Sequence, residues 1–202
     1  MIVSHKYKFI FIKTQKTAGT SIETYLSPLC GEKDILTPIF PHVEPHEARN
    51  FDNLQLFNHI SAKELRSRLP ADVWNKYYKF CVERNPWDKT LSHYHMCKFR
   101  AGGDLSLDQY LQTSSFPIDY GKYTDNAGTL IVDRVVLYER LDSELSGIFR
   151  SLGIPFNGQL SVSAKSEYRT DKTHYRQILS SRQMLLISKA FEKEIALHNY
   201  VY

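Results

Sequence analysis

Two stretches of this chain carry residue types suited to holding and transferring anionic groups. The first, Lys13-Thr14-Gln15-Lys16-Thr17-Ala18-Gly19-Thr20-Ser21, follows a β-branched and aromatic run and opens Ser21-Ile22-Glu23-Thr24-Tyr25-Leu26, whose spacing is helical. A strand-to-helix loop offers unpaired backbone N–H groups and the positive end of a helix dipole, which together favour a phosphate or sulfate. Gly19 lets the backbone approach such a ligand and Thr20 and Ser21 add hydroxyl donors, while Lys16 brings a mobile positive charge to developing negative charge. The second stretch, Phe80 to Tyr94 (FCVERNPWDKTLSHY), puts Arg84 at the end of a strand and Ser92 on the following helix. A forked guanidinium and a hydroxyl so placed can converge on one phosphate.

The first loop is not the nucleoside-triphosphate loop G-x-x-x-x-G-K-[ST]. It lacks the leading Gly, and Lys16 precedes Gly19 instead of following it. The strand Val135 to Tyr138 ends in Glu139, so a clean strand-terminal Asp for magnesium is missing. Neither His42, Glu44 and His46 nor His93 with Cys97 supplies a full ligand shell, and no metal is expected. Lys165, Arg169, Lys172 and Arg176 cluster with Tyr168 and Tyr175, giving charge and aromatic surface fit to close over an adenosine phosphate. Tyr94-His95-Met96 and Phe99 read as core.

The elements that must position these residues alternate. Tyr7 to Lys13 reads as a strand, Leu54 to Asn58 as a short strand, and Ser61-Ala62-Lys63-Glu64 as the capped start of a helix. Tyr77 to Glu83 is a strand, and Pro86 then leads a helix toward Phe99 that Gly102-Gly103 stops. A helix over Leu105 to Leu111, a strand over Arg134 to Tyr138, a helix over Leu141 to Leu152 and a last helix over Ser181 to His198 follow. This order predicts an α/β fold of three αβα layers, with a central, mainly parallel sheet and a ligand site beyond the carboxyl ends of the strands.

At 202 residues, with 42% hydrophobic and 24% charged residues and neither linker nor repeat, the chain is expected to form one domain over 1–202. A net charge of +4 suits an anionic ligand but not a nucleic-acid binder. The cysteines, Cys30, Cys81 and Cys97, read as reduced thiols. The apolar run Tyr7 to Ile12 is too short for a membrane span and no small-residue cleavage site follows it, so a soluble, cytoplasmic protein is expected. Oligomeric state is not readable.

Lys16-Thr17-Ala18-Gly19-Thr20-Ser21 resembles the P-loop-like 5′-phosphosulfate loop of sulfotransferases that use 3′-phosphoadenosine 5′-phosphosulfate (PAPS). Arg84-Asn85-Pro86 through Ser92 resembles their 3′-phosphate motif. Tyr138-Glu139-Arg140-Leu141 and the end through Tyr200 resemble later elements, and the nearest likeness is to membrane-type carbohydrate sulfotransferases, uronyl 2-O-sulfotransferases among them, and their soluble bacterial relatives. The resemblance implies in-line transfer of a sulfuryl group from PAPS, released as PAP, to the hydroxyl of a glycan or small molecule. It implies that Lys16 contacts the leaving phosphate, that Thr17, Ala18, Gly19, Thr20 and Ser21 form the 5′ cradle, that Arg84 and Ser92 hold the 3′-phosphate, and that Arg169 and Lys172 belong to a covering loop. A poor nucleophile such as a hydroxyl needs a base within reach. His59, which stands between the two motifs as the uronyl enzymes' histidine does, is the expected base, with Glu44 and His46 in reserve. The chain is expected to lack the anchor and stem of the Golgi members, a departure from their pattern. A magnesium-dependent nucleotide phosphotransferase and a non-catalytic nucleotide-binding domain are the alternatives.

Overall fold

The runs over Tyr7 to Lys13, Tyr77 to Glu83 and Arg134 to Tyr138 form strands as expected, and Ile2–Ser4 and Ile35–Leu36 add two that were not expected. In the computed structural model, which describes residues 1–160, 168–169 and 173–202, the strands are β1 (Ile2–Ser4), β2 (Phe9–Phe11), β3 (Ile35–Leu36), β4 (Tyr78–Glu83) and β5 (Arg134–Leu137). The helices are α1 (Gly19–Leu26), α2 (Ala62–Arg68), α3 (Ala71–Lys76), α4 (Pro86–Arg100), α5 (Leu107–Gln112), α6 (Tyr120–Tyr123), α7 (Leu141–Ser151), α8 (Tyr175–Ile178), α9 (Ser181–Ala190) and α10 (Glu192–His198). The residues divide into two units. One takes Met1–Glu83 and the described residues from Gly121 to 160, the other Arg84–Tyr120 and those from Tyr168 to Tyr202.

The first unit holds the five-stranded sheet, in the order β3-β1-β2-β4-β5. β2 runs parallel to β4 and β4 to β5, whereas β1 is antiparallel to both its neighbours and alone opposes the other strands. Alternation sorts the side chains. On one face Phe9, Phe11, Phe80, Val82 and Val136 pack with Ile22 and Leu26 of α1 and with Leu145, Ile148 and Phe149 of α7. The Phe80 ring lies 5.1 Å from Phe11 and 6.4 Å from Phe149 between centroids. Each such fully buried side chain contributes about 1.5–3 kcal/mol. On the other face Val3, Ile10 and Cys81 are buried, and Lys79 lies over the Trp74 ring of α3 at 5.6 Å. Helices thus stand on both sides of a mostly parallel sheet, as expected.

The second unit is helical. Trp87, Leu91 and Tyr94 of α4 pack with Tyr110 and Leu111 of α5, with Tyr175 of α8 and Leu179, and with Ile187 and Phe191 at the far end of the chain. Asn85 caps α4, its Oδ1 accepting from the N–H groups of Trp87 and Asp88 at 3.2 Å each.

Three expectations need correction. Leu54 to Asn58 is not a strand: a 3-10 turn over Asp52–Leu54 ends at Gln55 with a left-handed φ of 51°, which breaks extended pairing. The last helix is two, since Phe191 leaves helical geometry (φ −106°, ψ 26°) to bury its ring completely in the core. Phe99 is 62% exposed instead of core, with its ring 5.1 Å from that of Tyr168.

The turn from β1 into β2 is held by Asp34, which accepts from Ser4 Oγ (2.7 Å) and from the N–H groups of His5 (2.7 Å), Lys6 (3.1 Å) and Gly31 (2.9 Å). Burial pushes its carboxyl up, but Ser4 and the N–H donors of Gly31, Lys6 and His5 outweigh burial and hold it below the usual range. The stabilisation is therefore fully present above the unfolded Asp value of about 3.9 and lost as pH falls through the lower folded value. Asp34→Asn should lower stability at neutral pH and flatten the acid limb of a plot of urea-unfolding free energy against pH below about 4.

Candidate active site

The anion loop lies where β2 hands over to α1. Lys13 is buried with its ammonium 2.5 Å from Glu23 Oε2 on α1. Thr14 Oγ1 donates to the carbonyl of Val82 on β4 and lies 2.8 Å from Thr17 Oγ1. Lys16 and Ala18 both take the left-handed conformation, at φ 58°. Ala18 is the N-cap of α1 and makes no side-chain capping hydrogen bond, so the cap residue itself does not take up the leading N–H groups of the helix. Lys16 is half-buried, whereas Thr17, Thr20 and Ser21 are buried.

Gly19 serves a purpose different from the one its sequence position suggests. Its φ is not positive, but a Cβ there would stand 2.7 Å from Lys13 Cγ and 3.2 Å from Lys13 Cε. The missing side chain makes room for the Lys13 stem, which passes across the start of α1 to reach Glu23.

Beside the loop is a cavity of about 680 Å³, lined by Ala18 and Ser21 and, across from them, by Tyr138, Glu139, Arg140, Ser143 and Leu160. Sequence reasoning missed it, although Tyr138 to Leu141 had been recognised as a strand-to-helix junction. Here β5 ends in a 3-10 turn over Tyr138–Arg140 before α7 begins.

His59 is held by the same segment. Its Nδ1 lies 3.1 Å from the carbonyl oxygen of Lys13, and since a carbonyl only accepts, Nδ1 carries the proton and Nε2 keeps the basic lone pair. His59 is half-buried at a left-handed φ of 63°. Of the reserve bases, His46 is buried with Nε2 2.9 Å from the Thr37 carbonyl, and burial lowers its pKa. Glu44 is exposed and paired with His42 at 2.9 Å.

In the second unit Arg84 donates through Nε (2.9 Å) and Nη2 (2.6 Å) to Asp88 Oδ2, and Arg169 donates through Nη1 to Asp88 Oδ1 at 2.6 Å. Two of the expected site residues thus meet on a carboxylate that sequence reasoning overlooked. The signal was there: Asp88 is four residues after Arg84. Burial pushes the Asp88 carboxyl up, but Arg84 and Arg169 outweigh burial and hold it below the usual range. Ser92 lies one turn beyond Asp88 on α4, half-buried. Lys172, like Lys165, lies outside the described residues. His93 Nδ1 meets Tyr110 Oη at 2.8 Å and Cys97 Sγ at 3.7 Å. No helix among the described residues is long and apolar enough to cross a membrane.

An α/β sheet with an uncapped strand-to-helix anion loop defines a protein that handles phosphate- or sulfate-bearing groups. Residues 1–115 match the sulfotransferase family, and the chain belongs to it. It is a sulfotransferase, of the PAPS-dependent class that its loop resembles. Over 112 residues it is 27% identical to an uncharacterised protein of Archaeoglobus fulgidus, covering 52% of this chain and 93% of that one. The fold is similar to that of mouse sulfotransferase SULT7A1, solved in complex with PAP, with a TM-score of 0.54 and 14% identity over 95% of this chain and 85% of the other. A sulfotransferase from Alicyclobacillus acidocaldarius gives a TM-score of 0.47 at 15% identity, with 96% of each chain covered.

The fit of Lys13 against Gly19 can be checked directly. Gly19→Ala should destabilise the protein by about 1–3 kcal/mol in urea unfolding, the usual cost of forcing a methyl group into filled space. Gly19→Ala combined with Lys13→Ala, which removes the Cγ, Cδ and Cε that the new methyl group would meet, should recover the overpacking part of that loss but not the lost ion pair.

Proposed function

We propose that the protein moves the sulfuryl group of PAPS onto a hydroxyl of a carbohydrate acceptor, in the cytoplasm, with 1–202 acting as one sulfotransferase domain. The observation that carries this reading is the uncapped start of α1, flanked by Lys16 and opening beside a cavity with a polar rim. The residues present suit the donor: N–H groups of Gly19, Thr20 and Ser21 and the hydroxyls of Thr20 and Ser21 for the 5′-phosphosulfate, with Thr17 and Ala18 shaping the turn. In the same reading Arg84 and Ser92 receive the 3′-phosphate, with Arg169 and Lys172 in support.

PAPS supplies an activated sulfuryl group whose S–O bond to the 5′-phosphate breaks as the acceptor oxygen bonds to sulfur. Lys16 and the leading N–H groups of α1 stabilise negative charge on the departing phosphate, where fixed dipoles act without reorganisation. His59, with its proton fixed on Nδ1 by the Lys13 carbonyl, takes the acceptor's proton on Nε2. His46, sealed against the Thr37 carbonyl, is a poorer candidate.

The test is transfer from PAPS across hydroxylated glycans and small molecules, followed by mass spectrometry. Lys16→Ala should lower kcat by about 2.7–4 kcal/mol of transition-state stabilisation, in the manner of a lost oxyanion donor. His59→Ala should slow transfer by roughly 100-fold or more. Its affinity for PAP, measured by calorimetry, should hardly change. Full turnover in His59→Ala would remove it as the base, and full turnover with undiminished PAP affinity in Lys16→Ala would sink the loop assignment.

A further inference from the structure

Asp88 is acidic, yet it sits between two arginines that the proposed reading assigns to an anion. Its Oδ2 takes both Nε and Nη2 of Arg84, a side-on grip that fixes the plane of the guanidinium, while Oδ1 takes Nη1 of Arg169. The arginine side chains are only 12% and 13% exposed and that of Asp88 25%, so these contacts are shielded from solvent far more than a surface ion pair. Two guanidiniums brought this close would repel each other. A shared carboxylate removes the repulsion and leaves the trio with a surplus of one positive charge.

The bridge also ties a distant segment to α4. Arg169 Nη2 donates to the carbonyl of Thr173 at 2.7 Å, Tyr168 packs on Phe99, and Asn85 Nδ2 donates to Tyr175 Oη at 3.3 Å. Residues on both sides of Arg169 are thereby held against the helix that bears Asp88 and Ser92. Asp88 does not itself suit an anionic ligand, since its charge would repel one. What it supplies is orientation: arginine recognises phosphate through a planar fork, and a fork free to rotate loses that advantage.

We infer that Asp88 is a positioning residue which sets Arg84 and Arg169 on one phosphate and so makes the enzyme select 3′-phosphorylated over unphosphorylated nucleotide. This rests on the proposed assignment of Arg84 to the 3′-phosphate. The experiment is calorimetric titration of wild type, Arg84→Ala, Asp88→Asn and Arg169→Gln with PAP and with AMP, which differs in lacking the 3′-phosphate. Wild type should prefer PAP and Arg84→Ala should lose that preference. Asp88→Asn, although it removes a repelling charge, should reduce the PAP-to-AMP affinity ratio by roughly 10- to 100-fold, the worth of a charge-assisted hydrogen bond. A general loss of structure would weaken AMP equally and leave the ratio alone.

If Asp88→Asn binds PAP with an undiminished or larger preference, the carboxylate competes with phosphate and the inference is overturned. Should that variant fail to fold, Arg169→Gln decides: the ratio must fall with it, and an unchanged ratio overturns the shared-carboxylate role. A wild-type protein without preference, or an Arg84→Ala variant that keeps it, would instead refute the 3′-phosphate assignment on which the inference stands.

Discussion

The buried pairing of Lys13 with Glu23 is the constraint on which the first unit's site depends. Taking two such charges out of water costs several kcal/mol for each ion, and close contact must repay it. The contact is close, at 2.5 Å, and its geometry has consequences in both directions along the chain. The Lys13 stem crosses the first turn of α1, which accounts for Gly19, while its ammonium fixes the helix one turn further on. Burial pushes the Glu23 carboxyl up, but the amino group of Met1 and the ammonium of Lys13 outweigh burial and hold it below the usual range. A helix anchored at its second turn can leave its first turn without a capping side chain, and those donors are the ones an anion needs.

The neighbouring backbone uses the same anchor. The carbonyl of Lys13 sets the tautomer of His59, and Thr14 fastens the loop to the carbonyl of Val82 near the end of β4. One dipeptide therefore holds α1 through Glu23, the ring of His59, and the seam between β2 and β4. Orientation of this kind matters because misplacement of a catalytic group by about 1 Å can cost on the order of 100-fold in rate. Between that strand end and the helix, Lys16 and Ala18 take left-handed backbone.

How much of this was legible in the sequence follows from the range of each interaction. The Phe- and Ile-rich run into β2, Ser61 ahead of α2, and Asn85-Pro86 ahead of α4 are local signals, and the structure uses them as read: Ser61 accepts from Glu64 N–H and Pro86 is the first residue of α4. The junctions at Lys16 to Ser21 and at Arg84 to Ser92 were equally visible as strand-to-helix turns, because each is contiguous in the chain. What was not legible depends on partners far away in sequence. Gly19 answers to a lysine stem, Phe191 breaks its helix for a core assembled from four other elements, and Asp88 is defined by an arginine 81 residues further on. The segment from Leu54 to Asn58 carries apolar residues enough for a strand but no neighbour to pair with, so the turn chemistry of Asp52 and Asn53 prevails.

The two units treat positive charge alike. In the first, Lys13 is neutralised by Glu23 on α1, and in the second Lys89 of α4 is wholly buried 2.8 Å from Asp119. Burial raises the pKa of Glu194 nearby and pushes that of His198 down to about 4, so the interior of the second unit adds no further cation at neutral pH. Lys13 and Lys89 are thus each held by a carboxylate, and Arg84 and Arg169 share that of Asp88. Such a division favours binding by preorganised donors over attraction to a generally basic surface. It fits a net charge of only +4 on a protein whose substrate is highly anionic: selectivity comes from where a few cations are held, and not from how many there are.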